Sequence, residues 1–262
     1  MLIGKRGPAK TGIATADAAG VSVRGHDLVG DIMGRLSFSS YFYLLVTGRE
    51  PTEAQRYFLD LLLVTIAEHG LTPSAVASRM TIAAAPDSVQ GAVAAGLLGA
   101  GPVILGSAEP SAAVIVDVRR RMADGEARNV AASAVAFEIH ARGERMPGFG
   151  HPLHKPVDPR AERILALAAE RKVAGEAVAI ARGLTPIVAA VWGRPLPMNV
   201  SMAIAAVLID LDFPPSMVKA VPILARTAVL LAHIAEEQER PIGFLMAAAA
   251  EEVIEYDGNE AT

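Results

Sequence analysis

Hydrophobic and polar positions repeat with a helical period along almost the whole chain after Leu36. Within residues 52–70, for example, apolar side chains recur three and four residues apart and would share one face of a helix. Residues 1–35 differ, because they are rich in glycine and polar residues and hold only short β-like pieces such as 20–24. The pattern predicts an all-α protein of about ten helices, with a short irregular or β-like N-terminal arm.

Residues that start or stop helices mark several boundaries. Thr52 and Gln55 form a capping-box signature, and Gly48 closes the apolar run before them. A proline at the first helical position follows both Thr72 and Asp158. These signals predict helix ends or starts near each of the five residues.

Two long apolar stretches need separate interpretation. The stretch from Ser216 to Glu239 is helical in pattern, with Pro222 expected to kink it or divide it in two. The stretch from Ser88 to Ala108 has no charged residue, which raises the question of a membrane span. Because it is rich in Ala and Gly and is broken by Pro102, we predict a buried helix there and no membrane partner.

Composition excludes several classes of protein. Of the 262 residues, 52% are hydrophobic and 20% charged, which suits closely packed helices and suggests apolar surface buried between subunits. A net charge of −4 offers no basic surface to a phosphate backbone, so we expect no nucleic-acid partner. The absence of cysteine excludes disulfides and thiolate chemistry and fits a reducing compartment. With no continuous apolar segment behind the basic N-terminus, we predict a cytoplasmic protein.

The histidines carry no metal-binding signature. His151 and His154 are three residues apart in a turn rich in Pro and Gly, with no obvious third ligand nearby in sequence. No phosphate-binding or dinucleotide-binding glycine motif precedes a helix. We therefore expect no metal site and no tightly bound cofactor.

The segment from Met146 to Arg160, MPGFGHPLHKPVDPR, concentrates the candidate chemistry. Gly148 and Gly150 would leave backbone atoms open to a ligand, and His151 follows on the same loop. Arg160 falls in the first turn of a predicted helix, where backbone N–H groups and a guanidinium could bind a carboxylate. The alternative from these residues alone is a surface turn with scattered charges.

This segment resembles the PGxGHxxxxxxDPR signature of citrate synthases, and shorter fragments resemble that family in the right order along the chain. The resemblance implies a two-lobed helical fold, with a large domain of residues 1–105 and 201–262 and a small domain of residues 106–200. It also implies a homodimer. The shorter fragments are Glu68-His69-Gly70, Asn199-Val200, Ala225-Arg226 and Glu239-Arg240-Pro241.

The resemblance also implies a carboxylate-binding set. His69, His151 and Arg160 would hold a di- or tricarboxylate, with His151 hydrogen-bonded to the reacting hydroxyl or carbonyl. Arg226 would bind a further carboxylate group, and Arg240 would reach the site of the partner subunit. His69 and His151 are therefore catalytic candidates as well as substrate-binding ones.

A coenzyme A thioester is the substrate that the resemblance implies. Gly148, Phe149 and Gly150 would lie against the adenine end of coenzyme A. Lys155 stands where the family often has an arginine for a CoA phosphate, so it keeps the charge but loses the fork of donors.

Two departures from the family pattern affect the predicted reaction. Ile104 replaces the first active-site histidine, a loss that short citryl-CoA lyases share. Ser201 takes the place of the carboxylate that moves a proton at the α-carbon of the acetyl thioester. A neutral hydroxyl is no base near pH 7 without an activating partner. As replacements, Asp210 and Asp212 lie too far along the helix, and Glu109 is as easily a helix-start carboxylate.

The leading hypothesis is a citryl-CoA lyase-like enzyme that cleaves a 3-hydroxy polycarboxyl-CoA thioester to acetyl-CoA, or another acyl-CoA, and an oxo acid such as oxaloacetate. Ser201 would relay a proton from water in that reaction. One alternative is a citrate synthase-like enzyme with altered acyl-CoA specificity. Another is a non-catalytic homologue that binds CoA or carboxylates.

Overall fold

A small sheet followed by eleven α-helices makes up the part of the chain that the computed structural model describes, residues 9–104, 107–151 and 154–258, with backbone only for 102–104. The strands are β1 (Ala14–Ala16), β2 (Val21–Val23) and β3 (His26–Asp27), paired antiparallel in that order. The helices are α1 (Phe38–Thr47), α2 (Glu53–Ala67), α3 (Pro73–Ala84), α4 (Val89–Ile104), α5 (Ala108–Ala123), α6 (Arg128–Ala141), α7 (Pro159–Glu170), α8 (Glu176–Val191), α9 (Val200–Asp210), α10 (Ala220–Glu239) and α11 (Gly243–Val253).

The predicted all-α class with a β-like arm is confirmed. The sheet leads into a short π-helical turn, Leu28–Ile32, that the Asp27 carboxylate caps by accepting from Val29 N at 3.0 Å. Val23 and Ile32 bury their side chains with Leu44 of α1 in one small cluster. The arm is thus ordered by apolar contacts, although its sequence is mostly polar.

The helix boundary signals act as predicted. Thr52 N donates to the Gln55 side chain at 2.9 Å, and Gln55 N donates to Thr52 Oγ1 at 3.3 Å, which is a reciprocal capping box. Gly48 ends α1 with φ of 77° and donates its N–H to Leu44 O. That left-handed conformation favours glycine at the helix end.

Pro222 does not kink or divide a helix, contrary to the prediction. The break comes earlier, where a 3₁₀ turn, Pro215–Met217, precedes α10. Pro222 lies in the first turn of α10, where a backbone N–H would have no partner within the helix. A proline therefore costs little at this position.

The small residues of α4 serve close packing. A Cβ on Gly96 would lie 2.6 Å from a Leu230 methyl of α10, and one on Gly99 would lie 3.1 Å from Ala77 Cβ of α3. Gly101 leaves the helical conformation, with φ of 50° and ψ of −167°. The Ala/Gly-rich composition thus lets α3 and α10 approach one face of α4 closely. The prediction of a buried helix holds for that face alone, because Leu98 on another face is 82% exposed.

The segment Pro215–Glu239 is long and apolar enough to cross a membrane by length and composition alone. Core helices pass the same test, and α10 packs against both α3 and α4. It also buries the charged side chains of Arg226 and Glu237. These contacts are those of a helix in a protein core.

The chain divides into two compact units, one ending at Asp60 and the other beginning at Leu61. Within the second unit, α9 is almost wholly buried and packs against α5, α7 and α8. A separate group consists of α3, α4, α10 and α11. The predicted boundaries at residues 105 and 200 stay a prediction.

A buried ion pair joins α3 to the end of α10. Arg79 Nε donates to Glu237 Oε2 at 2.6 Å, and both side chains are almost completely buried. The other Glu237 oxygen accepts the backbone N–H groups of Ile242 and Gly243, at 2.8 and 2.6 Å, at the start of α11. Burial alone would raise the pKa of Glu237, but these hydrogen bonds outweigh it and hold that pKa below its ordinary value.

We expect Glu237→Gln to lower the free energy of unfolding by about 3 kcal/mol, because it removes the buried carboxylate that pairs with Arg79 and leaves only Glu236, which is half exposed. Urea unfolding followed by circular dichroism, at one fixed protein concentration, measures the change. Glu170→Gln is the matched control, since Glu170 pairs with Arg163 in an exposed position and should change little. Equal effects of the two substitutions would contradict the stabilising role of the buried pair.

Candidate functional site

The loop 146–151 is held against the start of α9 by its backbone. Gly150 N donates to Pro197 O at 2.7 Å, and Asn199 N donates to Gly148 O at 2.9 Å. The Asn199 side-chain amide also donates to Gly150 O at 3.1 Å. These three hydrogen bonds fix the position of the loop that carries His151.

Gly148 is required for packing rather than for an open backbone, which corrects the sequence-based reason. Its φ is 77°, and an added Cβ would lie 2.6 Å from Met202 Cβ and 2.7 Å from Ser111 Oγ. Gly150 is different, because its φ is 85° and a Cβ there would meet nothing within 4 Å. Of the two glycines, only Gly150 has open space beside its Cα, and its own N–H and C=O are already hydrogen-bonded to Pro197 and Asn199.

The other predicted CoA-binding residues are placed as follows. Phe149 is buried and its backbone forms an isolated β-bridge with Met198. Lys155 is exposed. Their role towards coenzyme A stays a prediction, and residues 152–153 between them lie outside the described part of the chain.

His151 is a neutral donor by its geometry. Its Nδ1 accepts the backbone N–H of His154 at 3.0 Å, so the neutral ring carries its proton on Nε2. The pKa of His151 is lowered, first by burial and then by the charges of His154 and Arg160, while Asp158 opposes them. The two imidazole rings stack with their centroids 4.3 Å apart.

The Asp158 carboxylate binds the Arg160 guanidinium and its backbone N–H. The fully buried carboxylate accepts from Arg160 Nε at 3.0 Å and Nη2 at 2.9 Å, and from the Arg160 backbone N–H at 3.0 Å. It also accepts from Val200 N at 3.1 Å, at the first residue of α9. Burial would raise the pKa of Asp158, but these hydrogen bonds and the Arg160 charge hold it below its ordinary value.

The expected carboxylate position at the start of α7 is therefore taken by Asp158 itself, since it accepts the Arg160 backbone N–H. The free edge of the guanidinium points elsewhere. Arg160 Nη1 contacts His69 Nε2, and Arg160 Nη2 lies 3.3 Å from His151 Nε2. The structure thus brings together His69, His151 and Arg160, which are far apart in sequence.

His69 is also held in its neutral form. Burial lowers its pKa most, the charges of Arg160 and Arg226 lower it further, and Glu68 opposes them. Glu68 additionally accepts the backbone N–H groups of His69, at 2.8 Å, and of Gly70. This carboxylate is a site feature that the sequence analysis missed, because it was read only as part of a family fragment.

Arg226 is a buried cation with unused donors. Its side chain is only 2% exposed, and its Nε and Nη1 have no hydrogen-bond partner among the described residues. Burial lowers its pKa, and the Glu68 carboxylate opposes that effect. His233 lies two turns further along α10, and its Nε2 is 3.2 Å from Oε2 of the Glu68 carboxylate.

Within one chain, Arg240 does not lie with His69, His151, Arg160 and Arg226. It is exposed at the end of α10, fourteen residues after Arg226, or about 21 Å along the helix. Its backbone carbonyl accepts from Arg79 Nη2 at 3.1 Å. Its predicted role in the site of a partner subunit, and the homodimer itself, stay predictions.

Ser201 has a hydroxyl partner rather than a carboxylate. Its Oγ lies 2.7 Å from Ser107 Oγ, a contact that the sequence analysis missed. Two of the acids considered as replacement bases are engaged elsewhere. Glu109 pairs with Lys219 at 3.2 Å, and Asp210 accepts the first N–H groups of α8.

Two further expectations concern the residue at position 104 and a metal site. The side chain of Ile104 lies outside the described residues, so the position of the missing histidine has no structural account. Across 9–104, 107–151 and 154–258, no group of three or more His, Asp or Glu side chains is arranged to hold a metal ion.

Comparisons of the sequence with known proteins identify a matching family and several relatives. The family described as "Citrate synthase, C-terminal domain" matches residues 9–243. The chain is 30% identical to the citrate synthase of Synechocystis sp. over 210 residues, or 78% of this chain and 50% of that protein. It spans about half the length of the curated relatives it matches.

Solved structures show the same fold. The citryl-CoA lyase from Hydrogenobacter thermophilus superposes with a TM-score of 0.85 at 28% identity, covering 97% of this chain and 96% of that one. The ATP citrate lyase from Methanothrix soehngenii, in complex with citrate and coenzyme A, has a TM-score of 0.77 at 21% identity, covering 98% of this chain and 43% of that one. The second likeness concerns the fold alone.

We expect the ring signals of His69 and His151 in an NMR titration to shift with midpoints below the ordinary histidine value of about 6.5. His69→Gln and His151→Gln variants assign the two signals. Since unfolding would take up protons in that pH window, acid should destabilise the protein there, and stability should recover as the pH rises above 6.5. Midpoints above 6.5 for both rings would contradict the neutral donor geometry.

Proposed function

Because this chain belongs to the citrate synthase family, we propose that it cleaves the carbon–carbon bond of a 3-hydroxy polycarboxyl-CoA thioester such as citryl-CoA. The products are acetyl-CoA, or another acyl-CoA, and an oxo acid such as oxaloacetate. The structural similarity to a citryl-CoA lyase, with a TM-score of 0.85 at 28% identity, supports cleavage over synthesis.

The buried guanidinium of Arg226 carries the proposal. An unpaired charge in a protein interior is costly, and the Nε and Nη1 donors of Arg226, which have no hydrogen-bond partner in the part of the chain that the structure describes, need an acceptor. The Glu68 carboxylate offsets part of the charge without hydrogen-bonding those atoms. A ligand carboxylate would supply both the charge and the acceptor oxygens.

The surroundings of Arg226 favour a ligand with more than one carboxylate. Arg160 presents the edge of its guanidinium towards His69 and His151, and both rings are held neutral. With its proton on Nε2, His151 faces the Arg160 Nη2 donor at 3.3 Å, so one ligand oxygen could accept from both. Two arginines and the His151 N–H suit a polycarboxylate that also carries a hydroxyl or carbonyl.

In the proposed reaction His151 donates from Nε2 to the oxygen that changes from hydroxyl to carbonyl. A water molecule takes up the hydroxyl proton, and the bond between the hydroxyl carbon and the α-carbon of the thioester breaks with its electron pair passing to the thioester. The α-carbon later gains a proton from water. The reaction consumes no net proton. Water and the Ser201 hydroxyl relay the proton to the α-carbon, and His69 and the arginines hold the carboxylates.

We expect purified protein to release acetyl-CoA and oxaloacetate from citryl-CoA, measured through NADH oxidation with added malate dehydrogenase. Arg226→Lys should raise KM roughly tenfold or more, because an ammonium keeps the charge but loses the two-pronged geometry. Arg163→Lys on the exposed face of α7 is the control and should leave both constants unchanged. If no product forms from citryl-CoA or related 3-hydroxy acyl-CoA thioesters, the lyase proposal is wrong.

One observation favours a second candidate, a CoA- and carboxylate-binding protein without catalysis. The Ser201 hydroxyl contacts Ser107 and the Ser201 backbone N–H donates to Asn199, and neither partner is a carboxylate. Positioned acid–base groups typically contribute roughly 10² to 10⁴ in rate, so a hydroxyl in this place would act slowly.

Ser201→Asp separates the two candidates. For a slow lyase, we expect a wild-type rate above the uncatalysed one and a gain of about tenfold or more in kcat in the variant. For a binding protein, cleavage would appear only in the variant, while citryl-CoA binding by wild type would remain measurable by calorimetry. Ser216→Asp, in the exposed 3₁₀ turn before α10, controls for the added charge.

A further inference from the structure

Two serine hydroxyls from distant parts of the chain meet beside the Gly-His loop. Ser107 immediately precedes α5, and Ser201 lies in the first turn of α9. Their Oγ atoms are 2.7 Å apart, and Ser201 is 91% buried. Sequence patterns pointed to Ser201 alone, so Ser107 is a new member of this region.

The backbone of each serine is fixed by one hydrogen bond to a side chain. Ser201 N donates to Asn199 Oδ1 at 3.0 Å, and the Asn199 amide reaches Gly150 O, next to His151. Ser107 O accepts from Ser111 Oγ at 2.7 Å. The same Ser111 hydroxyl lies where a Cβ on Gly148 would clash. The pair is therefore a fixed neighbour of the loop.

The hydroxyl pair is suited to a different oxygen from the arginine cluster. Each serine brings one O–H, and one hydroxyl donates to the other across the 2.7 Å between their oxygens. When both O–H groups turn away from each other, a single ligand oxygen can accept from both and replaces that bond. Among the described side chains, no Lys, Arg or His hydrogen-bonds to either hydroxyl. Such a site matches an oxygen that is neutral at first and gains charge during reaction, whereas Arg160 and Arg226 match permanent carboxylates.

We propose that the hydroxyls of Ser107 and Ser201 together bind the thioester oxygen of the acyl-CoA. This inference rests on the proposed function. When the carbon–carbon bond breaks, its electron pair forms a double bond between the α-carbon and the thioester carbon, and the thioester oxygen becomes negative. The two hydroxyls donate to that oxygen. The Ser201 hydroxyl then passes its proton to the α-carbon and regains one from water, so that the thioester carbonyl re-forms and both serines end unchanged.

The test compares the binding of two ligands by isothermal titration calorimetry. Carboxymethyl-CoA presents a charged oxygen in place of the thioester oxygen, and free CoA has none. Wild type should bind carboxymethyl-CoA more tightly than CoA. Ser107→Ala and Ser201→Ala should each weaken carboxymethyl-CoA binding roughly 10-fold to 100-fold and leave CoA binding unchanged. The double variant should be weaker than either single one.

Two variants control for structural damage. Ser107→Thr keeps the hydroxyl and should bind carboxymethyl-CoA as wild type does. Ser111→Ala removes a neighbouring buried hydroxyl outside the pair and should preserve the preference for carboxymethyl-CoA. The proposal is overturned if wild type shows no preference between the ligands. It is also overturned if the alanine variants keep that preference, or if they lose affinity for CoA equally.

Cleavage of citryl-CoA by wild type is scored separately from this binding difference. If Ser107→Ala loses the preference for carboxymethyl-CoA over CoA but wild type cleaves no citryl-CoA, the hydroxyl site stands and the lyase proposal is wrong. If wild type cleaves citryl-CoA but Ser107→Ala keeps that preference, the lyase proposal stands and the hydroxyl site is wrong.

Discussion

The buried carboxylate of Asp158 is the contact on which the rest of the site depends. It caps the start of α7, accepts two N–H groups of the Arg160 guanidinium, and accepts the first N–H of α9 at Val200. One side chain therefore fixes the position of an arginine relative to the helix that carries Ser201. A carboxylate can be fully buried here because every one of these donors favours its charged form.

With one face of Arg160 occupied by Asp158, the other face sets the electrostatics of the ligand cluster. His69 and His151 lie against it and are kept neutral by burial and by positive charge. Arg226 adds a second, nearly buried guanidinium, and Glu68 is its counter-charge. The cluster is rich in donors and positive charge in a poorly solvated place, and such a place binds anions more strongly than an exposed surface would.

The proposed proton-handling part of the site differs in kind from the proposed carboxylate-binding part. Arginines and histidines form the second, whereas a pair of serines stands where we propose chemistry at the α-carbon. Hydroxyls can donate to a developing negative oxygen, but they are poor bases near neutral pH. This contrast predicts a protein that holds its substrate firmly and reacts slowly, or one that binds without reacting.

The sequence by itself determined the helical class, the helix boundaries at Gly48, Thr52 and Asp158, and the family to which the loop at His151 points. These features depend on local rules, because capping, proline geometry and the helical period act over a few residues. Only the tertiary structure decided that Gly148 is needed for packing against Met202, that Asp158 takes the anion position at α7, and that Ser107 meets Ser201. Those outcomes depend on which side chains distant in sequence come to lie within a hydrogen-bond length of one another, and no local pattern specifies that.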